Sequence, residues 1–147
     1  ATTTPSTSTT PCTAPRNRTA VATCDGARTL GTVDVRIADT LSQRRTGLSD
    51  TESLGPNEGM LFVHPKEGNH TYVMRDMAFP IDIVFVAENG TITTIHHAEL
   101  PEDGEELQGY RGYGKFVVEL PYEFTAEHGI EVGDTVRIPD RHRKAEG

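Results

Sequence analysis

The sequence predicts a mostly β fold, a compact antiparallel sandwich or barrel with one or two short helices. Three observations support this prediction. Seven short segments have the alternating or continuous apolar pattern that is typical of strands. Turn-forming residues separate these segments, and Asn89-Gly90 is the strongest hairpin signal among them. The length of 147 residues suits one domain rather than two large cores.

The predicted strands follow one another between residues 32 and 138. In the first of them Val33, Val35 and Ile37 share one face, because successive side chains of a strand point to opposite sides. Turn-forming residues at 65–69 separate the second strand from the third, and the acidic stretch 101–109 is predicted to be a long surface loop. The seven predicted strands span residues 32–38, 59–64, 71–75, 81–86, 91–96, 115–120 and 134–138.

Two short helices are predicted between the strands. Thr40 and Gln43 have the spacing of a capping box, and Gly47 is placed to end the helix that they begin. Residues 125–129 form the second, similarly capped and stopped by a glycine. The three methionines, Met60, Met74 and Met77, are predicted to fill the core.

Composition excludes two classes of protein. The longest apolar run, residues 83–87, is far shorter than the ~20 residues that cross a bilayer. The net charge is −8, and residues 38–137 contain 18 acidic and 7 basic side chains, which disfavours binding to nucleic acid. Three lysines beside eleven arginines, together with the acidic body, indicate an archaeal-like, salt-adapted composition.

The N-terminal residues 1–15 include seven Thr, two Ser and three Pro, a composition typical of an extended segment. We expect a mature exported chain from which a signal peptide has been removed. A lost lipid anchor before Ala1 and a trimmed, renumbered chain are open alternatives. The predicted organisation is an extended segment over 1–30, a β domain over 31–138 and a polar tail over 139–147.

Cysteine usage agrees with export. Cys12 and Cys24 are the only cysteines, and no histidine lies near them in the sequence, so a disulfide is favoured over a metal site. Two unpaired thiols are the alternative. No cofactor is predicted.

The positions of the asparagines also favour export. Three of the four asparagines, Asn17, Asn69 and Asn89, occupy Asn-x-Thr acceptor sequences. We therefore expect N-linked glycans on exposed loops of an extracellular or cell-surface protein.

Several motifs, in order, resemble domain-of-unknown-function family 192. They are IADTLSQRRTGL at 37–48, GMLFV at 59–63, YVMRDMAFPIDIVFV at 72–86, NGTI at 89–92, VVELP at 117–121 and GIEVGDTV at 129–136. The resemblance covers about residues 31–138 and implies a compact, mostly β domain without a known reaction. The chain departs from the family pattern at Val73, Arg75 and Asp76, which replace an aromatic residue, Lys and Asn.

The resemblance carries a polar set over to Arg44, Arg75, Asp82 and Glu119, which we expect to lie close together. Three interpretations are open: an ionic network that fixes strand register, a pocket for a small polar ligand, and catalysis. A metal site is not predicted, because the neighbours His96 and His97 point to opposite faces of a strand. One of them together with His64 or His70 is the remaining metal alternative.

The predicted function is that of a non-enzymatic exported glycoprotein. The favoured role is a structural subunit, in which residues 1–15 add a strand to a neighbouring copy and so build a filament. The alternatives are a cell-surface binding module for a small polar ligand and a secreted enzyme of unknown reaction.

Overall fold

Strands dominate the computed structural model, which describes residues 12–145. Two α-helices, α1 (Leu41–Thr46) and α2 (Phe124–Glu127), and a 3₁₀ turn at Asp140–His142 complete the secondary structure of these residues. The mostly β prediction is therefore confirmed. The strands are β1 (Ala20–Asp25), β2 (Arg28–Ala38), β3 (Glu58–Tyr72), β4 (Ile81–Val86), β5 (Ile92–Ala98), β6 (Tyr110–Pro121) and β7 (Thr135–Arg137).

The seven strands form one curled sheet in the order β5-β4-β6-β3-β2-β1-β7. Its two edges meet at one corner, where Thr91 bridges Thr135 and the Ile92 amide donates to the Asp134 carbonyl at 2.8 Å. The sheet is thus a half-barrel. Not every pair is antiparallel as predicted: β2 and β3 run parallel, because the connection through α1 is long enough to return the chain to the starting edge.

The inner face of the curled sheet holds the main hydrophobic core. All seven strands contribute to it, and Phe124 of α2 closes one end. Because each strand presents alternate residues to this face, the core needs only every second side chain to be apolar. Among its members are Val21, Val35, Leu61, Val84, Phe116 and Val136.

A second core covers the outer face of the central strands. Phe62 of β3 and Phe85 of β4 pack there against Leu48, which follows α1, and Met74, which follows β3. Met60 and Met74 are buried and Met77 packs against the same cluster, as the sequence predicts. The candidate site described below lies in this outer layer.

The short helix α1 has the predicted capping box. The Thr40 hydroxyl accepts from the Gln43 amide at 3.1 Å, and the Gln43 side chain accepts from the Thr40 amide at 3.2 Å. Gly47 ends the helix with φ 51° and ψ −131°, a conformation that favours glycine. These contacts fix the position of Arg44 on the outer face of the sheet.

The structure corrects three predictions. The strand β1 lies inside the predicted extended segment 1–30, yet it pairs with both β2 and β7, so the β domain begins at Ala20. Residues 65–69 belong to β3 and are not a separating turn, because β3 and β6 stay paired on both sides of a register shift between Val63 and Gly68. Within the predicted tail 139–147, the Lys115 ammonium donates to the Arg143 carbonyl at 2.7 Å, so the domain extends past 138.

The N-terminus of the second helix is not capped as predicted. α2 begins at Phe124, and Thr125 lies within it rather than capping it. Its N-terminal amides are instead bound by Asp82 of β4. No helix among residues 12–145 has the length and apolar character needed to cross a membrane.

Candidate functional site

A cavity of about 160 Å³ lies on the outer face of the sheet, between β3, β6 and α1. We call it the inner cavity. Arg44 from α1, Tyr72 from β3, Arg75 from the segment after β3, and Glu119 from β6 contribute to its lining. Its volume is close to the roughly 150 Å³ of an engineered cavity that holds benzene, so it suits a small molecule or part of one.

Glu119 is the most unusual residue of this cavity. Only 5% of its surface is exposed, and it is surrounded by the outer core. Within residues 12–145 its carboxyl group has no hydrogen bond and no ion pair. Burial raises the pKa of Glu119 from 4.5 to about 8, so this side chain is mostly neutral at pH 7 and can donate a hydrogen bond.

Arginine side chains add positive charge to the lining of the inner cavity. One nitrogen of Arg44, Nη1, donates to the Val63 carbonyl at 2.9 Å, which anchors the guanidinium at the sheet. Arg45 and Arg75 are exposed and line the same cavity, as does the exposed Asp76. The inner cavity therefore combines three cations, one peripheral carboxylate and one buried carboxyl group.

Aromatic residues of β3 form the wall next to Arg44. His64 Nε2 and the Tyr72 hydroxyl are hydrogen-bonded at 2.7 Å, and His70 stacks on His64 with ring centres 3.7 Å apart. Burial lowers the pKa of His64 to about 4, with His70 and Arg44 adding to the shift, so His64 is neutral at pH 7. Burial also raises the pKa of Tyr72, whose hydroxyl stays protonated.

A second depression of about 390 Å³, the outer groove, adjoins the inner cavity. The two share Arg44, Arg45, Tyr72 and Val73 in their linings. The residues that line only the outer groove include Leu41, His64, Pro65 and His70.

Of the four residues that the family resemblance groups together, three line the inner cavity and Asp82 does not. The expectation that all four lie together is wrong for Asp82, because its neighbour Ile83 pairs with Glu119. A shift of one residue along a strand moves the side chain to the opposite face. A single ionic network of all four residues is therefore not formed, because Asp82 lies on the opposite face of the sheet from Glu119.

Asp82 has a structural role on the inner face. It is fully buried, and its two oxygens accept from the amides of Glu123 and Thr125 at 2.9 and 3.0 Å. The Thr125 hydroxyl and His97 Nδ1 are also within hydrogen-bond distance of it, at 2.6 and 2.7 Å. Asp82 thus caps α2 from a different strand.

The two histidines of β5 contact different hydrogen-bond partners. His97 contacts Asp82, and His96 Nε2 lies 2.7 Å from the Arg111 carbonyl. No group of three or more His, Cys, Asp or Glu side chains within residues 12–145 is arranged to hold a metal ion. His64 and His70 stack with each other, and no group of three ligand side chains joins either of them to His96 or His97 within residues 12–145.

Cys12 and Cys24 form a disulfide, as the sequence predicts. The three predicted acceptors Asn17, Asn69 and Asn89 are exposed. Their glycosylation stays a prediction.

Tyr72 was not predicted as a site residue, and His64 was considered only as an alternative metal ligand. The sequence does contain a pattern that indicates these residues. On β3, aromatic side chains reach one face of the strand once the register shift between Val63 and Gly68 is taken into account; they are Phe62, His64, His70 and Tyr72. Interpreting 65–69 as a turn concealed that common face.

Relatives of known structure share this fold. A candidate transcription regulator from Sinorhizobium meliloti 1021 is 28% identical with a TM-score of 0.72, over 81% of this chain and 92% of that one. A protein of unknown function from Novosphingobium aromaticivorans DSM 12444 is 26% identical with a TM-score of 0.72, over 93% of this chain and 99% of that one. No curated protein matches the sequence.

The family match covers the whole sheet. Residues 21–138 match the model of domain-of-unknown-function family 192, which is described as an uncharacterized ACR. The match begins in β1 and ends just after β7, so it includes all three residues of the inner cavity that the resemblance indicates. The chain belongs to domain-of-unknown-function family 192.

Proposed function

We propose that this protein is an exported, non-enzymatic binding domain that takes a small anionic ligand in the inner cavity. The observation that carries the proposal is Glu119, a buried carboxyl group that faces the cavity without a partner among residues 12–145. Such a group at a cavity wall, with a shifted pKa, is typical of a functional site.

The charges of the inner cavity favour an anion. At neutral pH, Glu119 offers a hydrogen-bond donor rather than a negative charge. Arg44, Arg45 and Arg75 add positive charge at the same cavity. Hydrogen bonds from a guanidinium to a carboxylate are about twice as strong as those between neutral groups.

The protonation states of the aromatic wall favour binding over catalysis. His64, which lines the outer groove, and Tyr72, which lines both depressions, form an acid–base pair at 2.7 Å. Proton transfer from Tyr72 to His64 is disfavoured from both sides, because burial raises the pKa of Tyr72 and lowers the pKa of His64 to about 4. The hydroxyl of Tyr72 is therefore a poor nucleophile.

Two features support export to the extracellular space or cell surface. A disulfide between Cys12 and Cys24 is typical of proteins in oxidising compartments. The exposure of Asn17, Asn69 and Asn89 leaves room for N-linked glycans. A regulatory role on DNA, suggested by the description of one structural relative, is not carried over, because residues 38–137 hold 18 acidic and 7 basic side chains.

Filament assembly through residues 1–15 stays a prediction. Residues 1–11 lie outside the described residues. Of the rest, Cys12 is bonded to Cys24, and Ala14 and Pro15 line a depression together with Ile138 of the same domain. Electron microscopy of the full chain and of a chain lacking residues 1–11 tests the assembly prediction. It fails if the two assemble alike, or if neither assembles.

The binding proposal is tested by NMR titration of the full chain with sodium acetate. We expect a dissociation constant on the order of 1 mM or weaker, since acetate is very small and even the best small ligands gain no more than about 1.5 kcal/mol per heavy atom. Chemical-shift changes should centre on Arg75 and Glu119. Arg75→Met should weaken binding at least about threefold. Arg28→Met is the matched control, because Arg28 is exposed and lines neither cavity.

The affinity should also depend on pH. Acetate binding should weaken as pH rises from 7 to 9, because Glu119 loses its proton near pH 8 and then repels the anion. The other groups facing Glu119 are Arg44 and Arg45 on α1, Tyr72 on β3, and Arg75 and Asp76 after β3. The arginines do not titrate in this range, and the pKa of Tyr72 is raised.

The variant Glu119→Gln isolates this effect, because it keeps the shape and a donor but cannot ionise. Its affinity for acetate should stay constant from pH 7 to 9. Absence of binding in every variant, or shifts scattered away from the cavity, would refute the proposal.

A further inference from the structure

The outer groove differs in chemistry from the inner cavity that it adjoins. The inner cavity presents Glu119 and three arginines, whereas the outer groove adds exposed apolar surface at its rim. Leu41, the first residue of α1, is 52% exposed, and Val73, just after β3, is 42% exposed. Both line the outer groove.

This exposure is unusual for the molecule. Five large hydrophobic side chains of the described residues are strongly exposed, and two of them meet at this one groove. Exposed apolar side chains scattered singly need no explanation, whereas a pair that borders a polar cavity indicates a ligand-binding groove. Pro65 and the stacked rings of His64 and His70 add to the surface between them, and His64 is neutral at pH 7.

Leu41 and Val73 therefore add apolar surface to a groove that Arg44 and Arg45 also line and that adjoins the cationic inner cavity. Arg44 and Tyr72 line both compartments, so a single molecule can touch them while reaching from one compartment into the other. A ligand that fills both must have a compact anionic end and an apolar body.

We infer that the ligand is a monocarboxylic acid with an apolar body, whose carboxylate binds in the inner cavity and whose body covers Leu41 and Val73 in the outer groove. This inference rests on the proposed function, since it assumes that the inner cavity binds an anion. It adds the chemical class of the ligand and the role of the second compartment.

The inner cavity favours a carboxylate over a phosphate-type dianion. It has a volume of only about 160 Å³, and the carboxylate of Asp76 is among its lining groups. Arg44 Nη1 already donates a hydrogen bond to the Val63 carbonyl. Fewer guanidinium donors therefore remain for a group with three terminal oxygens. A planar group with one charge and two oxygens needs fewer donors and tolerates the nearby Asp76 better.

The test measures binding of four probes to the full chain by calorimetry and NMR at pH 7. Acetate has the carboxylate without an apolar body, and phenylacetate has both the carboxylate and an apolar ring. Phenylacetamide keeps the ring but replaces the carboxylate with a neutral amide. Benzylphosphonate keeps the ring but replaces the carboxylate with a phosphate-type group. We expect phenylacetate to bind at least about tenfold tighter than acetate, from burial of apolar surface in the outer groove. Phenylacetamide and benzylphosphonate should both bind more weakly than phenylacetate.

Substitutions at the rim of the outer groove test where the apolar body of the ligand lies. Leu41→Ser and Val73→Ser should each weaken phenylacetate binding by about threefold or more. Leu41→Ser should leave acetate binding unchanged, because Leu41 lines only the outer groove, whereas Val73 lines both compartments. Val132→Ser is the matched control, because Val132 is 59% exposed and lines neither compartment. All three side chains are exposed, so the fold should tolerate the substitutions.

The outcomes separate the two proposals. If acetate does not bind, the proposed function itself fails, and this inference fails with it. If acetate binds but phenylacetate binds no tighter, or if the rim variants behave like Val132→Ser, the inference alone is overturned. Tighter binding of benzylphosphonate than of phenylacetate would overturn the carboxylate class.

Discussion

Glu119 links the stability of the protein to pH. Its folded-state pKa of about 8 is raised above the value of 4.5 for a free side chain. The neutral carboxyl group is tolerated inside the outer core, whereas the ionised form is not. The stabilising contribution is therefore complete below about pH 4.5 and is lost as pH rises through about 8.

The substitution Glu119→Gln tests this linkage. Between pH 5 and 8 the free energy of unfolding of the wild type should fall relative to that of Glu119→Gln, by up to about 1.4 kcal/mol per pH unit. Urea unfolding of both proteins at several pH values measures the difference. Comparison within the pair removes the contributions of other groups, including His64, whose lowered pKa acts in the opposite direction below pH 6.5. Parallel pH profiles would contradict this assignment.

Asp82 should contribute more to stability than an exposed carboxylate. Asp82→Asn places an amide donor against the amide of Glu123 or Thr125, and we expect the free energy of unfolding to fall by about 2–4 kcal/mol. The control is Asp34→Asn, which breaks the exposed 2.6 Å ion pair with Arg18 and should cost less than about 1 kcal/mol. Equal losses in denaturant unfolding would show that Asp82 does not hold α2.

The candidate site could be predicted only in part from residue types. Arg44, Arg75 and Glu119 follow from the family resemblance, and the structure places all three at one cavity. Asp82 looked equivalent to Glu119, since each interrupts an apolar strand. Which face each side chain occupies depends on the register between β4 and β6, and that register is a property of the folded sheet.

At the scale of elements, α1 sets the position of Arg44, and its capping box should matter for stability and binding. Thr40→Ala removes the side-chain acceptor of the Gln43 amide and should lower the free energy of unfolding by about 1 kcal/mol. We also expect weaker acetate binding, because Arg44 is displaced when the helix frays. Ser42→Ala, an exposed position in the same helix, should change both quantities little. If both alanine variants behave alike, the cap does not position the site.

Most elements were predictable because their patterns are local. The capping box of α1 and the Asn89-Gly90 hairpin are examples, and Gly90 has the positive φ of 95° that such turns favour. The strand β1 was missed because Ala20–Asp25 holds small and polar residues, and its burial comes from β2 and β7 on either side. The parallel pairing of β2 with β3 also depends on long-range packing that no local pattern encodes.

At the scale of the whole molecule, the disulfide ties residue 12 to the sheet. Thr29 of β2 lies next to it, with its hydroxyl 3.3 Å from Cys12 Sγ. The double substitution Cys12→Ser and Cys24→Ser removes the disulfide. It should lower the free energy of unfolding by roughly 3 kcal/mol, because the unfolded chain gains entropy when the link is absent.

Urea unfolding with and without a reductant checks the effect of this disulfide. The wild type with reductant should approach the double variant, which stays unchanged by reductant. A wild type that is insensitive to reductant and as stable as the variant would show that the link adds nothing to the domain.

The division of the outer layer into a cationic cavity and an apolar-rimmed groove leads to one binding geometry. A crystal structure of the full chain with phenylacetate tests this claim most directly. We expect the carboxylate within about 3 Å of the Glu119 carboxyl group and of a guanidinium of Arg44 or Arg75. The ring should cover Leu41 and Val73. Phenylacetate bound elsewhere with the inner cavity left unchanged, or its carboxylate turned to solvent, would contradict the account.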